Sequence, residues 1–96
     1  MNIDSLLQYA TPFEIQQGIC KRLVLRRKEQ KLSQVALANK AGVSLGSLKR
    51  FEATGEISLT SLTKLAYALG YQHELEELFS QKHYRTIEDV IRDARA

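Results

Sequence analysis

The sequence predicts an all-α fold, a domain of five helices with short extensions at both ends. Three observations predict it. Apolar residues recur at three- and four-residue spacing throughout. No stretch alternates Val, Ile or Thr with polar residues as a half-buried strand would. Proline and glycine are sparse, and where glycine occurs it tends to follow a helical pattern opened by serine or threonine. With 96 residues and 44% hydrophobic content, the chain can fill one core and not two. Residues 11–80 make up the expected domain, residues 1–10 an N-terminal extension, and residues 81–96 a tail that could serve as a partner or dimer surface.

Each element has its own signal. In Thr11-Pro12-Phe13-Glu14 the threonine can cap, the proline suits a first turn and the glutamate closes a capping box, so a helix starts here and runs to about Gln30. Its inward stripe is Ile15, Ile19, Cys20, Leu23, Val24 and Arg27, which puts Arg27 at the rim of an apolar surface. Ser33 caps a short helix through Ala41, Gly42 supplies a left-handed stop, and Ser44 caps a helix reaching about Ala53. After a loop containing Gly55, Ser58 caps a helix with Leu62, Leu65, Ala66 and Leu69 on one face, ended by Gly70. A short acidic helix with Leu75, Leu78 and Phe79 follows. Outside these lie Ile3 to Tyr9 and the tail from Tyr84, where Thr86 and Asp89 resemble a cap ahead of Ile87, Val90 and Ile91. Both flanks are compatible with helix.

Composition excludes several classes of function. No stretch has the roughly 18–20 consecutive apolar residues of a membrane span, and the N-terminus lacks the layout of a secretory signal, so a cytoplasmic protein is expected. The single cysteine, Cys20, cannot form an internal disulfide, and two distant histidines do not complete a zinc site with it. No metal or other cofactor is expected. Charge is mild in total, at +3, but uneven. From Lys21 to Arg50 nine basic residues face one acidic residue, Glu29; from Phe51 to Phe79 five glutamates face Lys64 alone. Such polarity suits a domain with one side turned to a polyanion, although a charge run is as often a solvated helix face.

Gln34 to Glu52 gives that charge a scaffold. Ala38 permits close helix approach, Gly42 can take the positive φ of a tight turn, and Leu37, Val43, Leu48 and Phe51 can share one core. Through Leu32-Ser33-Gln34, Leu37-Ala38, Gly42-Val43-Ser44, Leu48 and Phe51-Glu52 the segment resembles the helix-turn-helix of λ-repressor-like, or XRE-family, regulators. The resemblance covers about Ile15 to Phe79. It implies a sequence-specific DNA-binding transcriptional regulator whose second motif helix enters the major groove. It also implies an arginine–glutamate pair across the first and third helices, here Arg27 and Glu52. The helical period agrees, because Glu52 lies four residues after core Leu48. A phosphate contact is the lesser alternative for Arg27.

On a wheel of roughly 100° per residue, Leu45, Leu48, Phe51 and Glu52 share the buried arc. The opposite arc carries Gly46, Arg50 and Ala53, flanked by Ser47, Lys49 and Thr54. Arg50 is the expected base contact, since a guanidinium can donate twice to guanine. Ser44 is first a cap, but it and Ser47 can reach a base or phosphate; Gly46 would let backbone approach DNA; Leu45 touches either a thymine methyl or the edge of the core. Gln34 opens the first motif helix, where its amide is expected to grip a phosphate as the matching glutamine does in the family. Lys40 and Lys49 are further phosphate contacts. Lys21, Arg22, Lys28 and Lys31 are read as solvated charges that attract DNA. The sequence departs from the family in lacking glutamine and asparagine on the reading face and a proline before Ser58. Specificity then rests on few direct contacts, with DNA shape or dimer geometry supplying the rest.

Within the family the chain is most similar to short HipB-like antitoxins, through Arg26-Arg27, Leu32-Ser33-Gln34, Phe51-Glu52, Gly55-Glu56-Ile57-Ser58-Leu59 and Leu65-Ala66-Tyr67-Ala68-Leu69-Gly70. That similarity implies autorepression of a type II toxin–antitoxin operon and a HipA-like kinase toxin as partner, with the two ends of the chain as candidate partner or dimer surfaces. The competing expectation is that the ends fold back on their own core. A stand-alone, prophage-like repressor is the alternative function. A small basic ribonuclease toxin is the remote one, which would call for strands and a catalytic cluster. The chain is not expected to be an enzyme. Palindromic double-stranded operator DNA and a homodimer presenting two reading helices about 34 Å apart complete the expectation.

Overall fold

A computed structural model describes residues 10–83 and 86–95; the expected N-terminal extension through Tyr9, and Tyr84 in the tail, lie outside them. The described residues form six helices and no strand: α1 (Pro12–Glu29), α2 (Gln34–Ala41), α3 (Leu45–Thr54), α4 (Leu59–Leu69), α5 (Gln72–Glu76) and α6 (Ile87–Arg95). No helix among them is long and apolar enough to cross a membrane.

The expected caps form. Thr11 Oγ1 accepts from the Glu14 amide at 3.1 Å while the Glu14 carboxylate accepts from the Thr11 amide, completing the capping box. Ser33, Ser44 and Ser58 each accept from the amide three residues on, at 3.0–3.1 Å. Gly42 stands at φ +69°, and the amide of Val43 reaches back to the Ala38 carbonyl at 3.0 Å. This left-handed closure turns α2 into α3 within three residues.

The core is built from Cys20 and Leu23 of α1, Leu37 and Ala38 of α2, Val43 of the turn, Leu48 and Phe51 of α3, and Leu65 and Leu69 of α4. Leu37, Leu48, Phe51 and Leu65 are sealed from solvent and Val43 is buried beside them, so Leu37, Val43, Leu48 and Phe51, expected to share a core around the turn, do so. Helix α2 packs on α3 and α4, α1 packs across α3 and α4, and α5 packs on α4.

Two expectations about buried faces are corrected. Ile15 and Ile19 are 54% and 38% exposed, and Val24 is half-buried. The early turns of α1 are tied down by polar groups instead: Gln16 Nε2 donates to the Gly55 carbonyl at 2.6 Å and Gln17 Nε2 to the Thr54 carbonyl at 2.8 Å. These bonds satisfy carbonyls left over at the C-terminus of α3, and apolar burial begins only at Cys20. The second correction concerns the fifth helix, which ends at Glu76. Leu78 is half exposed and Phe79 is 99% exposed with φ +59°, because the chain turns left-handed there and carries the phenyl ring away from the core.

Candidate nucleic-acid interface

The helix-turn-helix stands on a buried ion pair. Arg27 Nε donates to Glu52 Oε2 at 2.8 Å and Nη2 to Oε1 at 2.7 Å, the two-bond geometry a guanidinium and carboxylate favour. Nη1 donates to the Leu32 carbonyl at 2.9 Å. Gln34 joins the same group, its Nε2 donating to Glu52 Oε1 at 3.1 Å. The pair thus links α1, the start of α2 and the end of α3, and it fixes the angle at which α3 is presented. Gln34 was expected to turn its amide to a phosphate; in the structure that amide nitrogen is bonded to Glu52, a contact between residues 18 apart that only the crossing of α2 and α3 creates.

Beside this pair lies Cys20, whose thiol donates to the Phe51 carbonyl at 3.1 Å. Burial pushes its pKa up, and the Glu52 carboxylate adds to the effect. Such a thiol is a packing element rather than a nucleophile.

The face of α3 away from the core carries most of the residues expected to contact DNA. Ser44, Gly46, Ser47, Lys49 and Arg50 are exposed, as is Lys40 on α2, while Leu45 is half-buried against the core. Ser44 both accepts from the Ser47 amide and donates its hydroxyl to Ser47 Oγ at 2.8 Å, which sets both hydroxyls at the α3 N-terminus. A Cβ added at Gly46 would meet nothing within 4 Å, and its φ is not positive. Nothing inside the protein therefore asks for glycine there.

Arg50 has a partner that its sequence position did not reveal. Its Nη2 donates to Glu56 Oε2 at 2.8 Å across the α3–α4 loop, with the two side chains 70% and 61% exposed. An exposed pair of this kind contributes only about 0–1 kcal/mol, so it orients the arginine and is readily exchanged for a stronger acceptor. Next to it a polar cleft of about 470 Å³ is lined by Ser47, Arg50, Glu56, Ser58 and Ser61, bringing the N-terminus of α4 beside α3. Arg22 lies elsewhere, on an apolar groove between α1, α4 and α5.

Two short helices crossing at a left-handed glycine over a shared core, the second turning serine hydroxyls, a glycine and an arginine outward, define a helix-turn-helix DNA-binding domain. Residues 23–75 match the sequence model of the helix-turn-helix family HTH_3, and the chain belongs to that family. It is a DNA-binding transcription regulator of the λ-repressor-like class. No curated protein and no solved structure matches the chain.

Proposed function

We propose that this regulator is a repressor that binds a palindromic operator as a homodimer and reads sequence through the exposed face of α3. The observation that carries the reading is that face itself: Leu48 and Phe51 seal one side of the helix, while Gly46 and Arg50 leave the other open. The similarity to HipB-like antitoxins makes autorepression of an operon that also encodes a kinase-type toxin the specific form of this reading. The protein acts by binding, not by catalysis. Titration of fragments of its own promoter at several salt concentrations tests the proposal. Binding that prefers one palindromic fragment and weakens with salt supports it, and binding indifferent to both would sink it. A kinase-type toxin gene beside that promoter, and a complex of the two products, distinguishes the antitoxin from a stand-alone repressor.

Two substitutions separate reading from folding. Arg50→Ala is expected to lower affinity for the operator by about 1–3 kcal/mol, roughly 5- to 150-fold, because a two-bond guanine contact is lost. The competing Glu56 pair is too weak to offset that loss. Thermal unfolding of the free protein should barely change; an operator affinity equal to that of the unsubstituted chain would remove Arg50 from the interface. Gly46→Ala should move the two properties in opposite directions. It is expected to raise fold stability, by up to about 0.5–1 kcal/mol, because alanine is the better helix residue and its Cβ has open space. It should weaken operator binding, because that space is where DNA backbone or base edges approach. Tighter binding, measured by the same titration, would show that the glycine serves no close approach.

A further inference from the structure

Among the described residues, two apolar surfaces lie open. One is the groove between α1, α4 and α5, with a volume of about 290 Å³ and a floor that includes Ile19, Leu62, Leu75 and Leu78. Arg22 and Arg26 form its α1 lip and Glu74 its α5 lip. The other is α6, where Ile87, Val90, Ile91 and Ala94 recur at the spacing of one helical face and are all exposed. Among the described residues, α6 does not share the close packing that joins the other helices, and a nine-residue helix gains most of its stability from packing such a face.

We propose that α6 of a second copy lies in this groove, and that reciprocal exchange of the two α6 helices forms the dimer contact. The inference rests on the homodimer in the reading above and names the surface that makes it. In its own chain the Lys82–Asp93 ion pair joins α6 to the segment that precedes it, and among the described residues α6 is not closely packed on α1 or α4. Charge assigns an orientation. The first turn of α6 carries Glu88 and Asp89 and its last turn Arg92 and Arg95, while the groove is basic along α1 and acidic along α5, at Glu74 and Glu76. With its first turn over Arg22 and Arg26 and its last toward α5, the helix meets opposite charge at both ends. At that basic lip Arg26 Nη2 already pairs with Glu29 at 2.8 Å, while its Nε is buried with no hydrogen-bond partner among the described residues, so the acidic first turn of α6 would share this guanidinium with Glu29. Phe79, fully exposed beside groove-lining Leu78, would also gain cover at such a contact. An exchange about a two-fold axis makes both contacts identical, and the groove uses none of the reading residues on α3.

The test uses the full-length chain without DNA. Copies carrying Leu78→Cys are mixed with copies carrying Ile91→Cys and oxidised; Cys20, buried with its thiol pKa raised, stays out of the reaction. A disulfide-linked heterodimer well above the level formed by either variant alone is expected, and a chain carrying both substitutions should link between copies. A link closed within one chain would place α6 on its own groove and overturn the proposal, as would the absence of any preferential link. In parallel, Ile91→Asp, at an exposed position that the fold tolerates, should sediment as a monomer at concentrations where the unsubstituted chain is a dimer. A dimer unchanged by Ile91→Asp would also overturn it. Because neither readout involves DNA, a cross-linked dimer that fails to prefer operator would sink the operator-repressor reading and leave this contact standing.

Discussion

Glu52→Ala is expected to lower folding stability by about 3–5 kcal/mol, the cost of removing one partner from a buried ion pair. The side chains of Arg27 and Glu52 are only 10% and 9% exposed, so the guanidinium left behind would keep the Leu32 carbonyl as its one bonded acceptor and little access to water. Gln34 would lose its acceptor in the same step. Domains of this size are stable by roughly 5–15 kcal/mol, so the variant should sit near the edge of folding, and its midpoint in urea should fall accordingly. The paired change Arg27→Met with Glu52→Leu should cost much less than either single change, since it removes both charges and restores apolar volume. A loss below about 1.5 kcal/mol in Glu52→Ala, or a double variant worse than both singles, would show that the pair is not the joint described here. The consequence reaches DNA binding. The pair ties the start of α2 to the end of α3, so even the folded fraction of Glu52→Ala should hold α3 at a less defined angle and bind operator more weakly.

What the sequence disclosed and what it withheld divide along a physical line. Signals confined to a few neighbouring residues were legible. Ser33, Ser44 and Ser58 cap the helices they precede, and Gly42 turns left-handed, because each of these events is decided within about four residues. The buried arc of α3 followed from its period, and the Arg27–Glu52 pair from that period together with the family resemblance. Contacts set by how helices cross were hidden. Gln16, Gln17 and Gln30 spend their amides on helix-end carbonyls 37 to 39 residues away, and no local pattern marks a glutamine for that use. For the same reason the stripe at Ile15 and Ile19 overstated burial: periodicity shows which face seeks cover, not whether an element lies opposite. Lys31 and Phe79 adopt positive φ without being glycine, which a reading of glycine positions passes over. On the candidate interface, the wheel placed Arg50 outward, yet its tether to Glu56 depends on the course of the α3–α4 loop.

Phe51→Ala is the second large effect, with an expected loss of about 3–5 kcal/mol, since the ring is 1% exposed at the centre of the core and its removal leaves a cavity among Leu37, Leu48 and Leu65. Phe51→Leu should be clearly milder, because it keeps most of the apolar contact. The position also separates two ways of losing DNA binding. Phe51 adjoins Arg50 in sequence but lies about 100° round α3 from it, in the core, so its truncation leaves the exposed side chains of α3 in place and removes what holds the helix down. Operator DNA binds only the folded state, and at about a hundred times its dissociation constant it adds roughly 2.7 kcal/mol to stability. Phe51→Ala should therefore recover much of its folded population as operator is added, seen as a rise in unfolding midpoint with operator concentration. Arg50→Ala should show the reverse, an unfolding midpoint near that of the unsubstituted chain and a smaller rise with operator than that chain shows. If Phe51→Ala unfolds at the original midpoint, the core does not support α3 as described. If instead it folds fully on operator but no longer discriminates between sequences, α3 is positioned for reading by this ring as well as held by it.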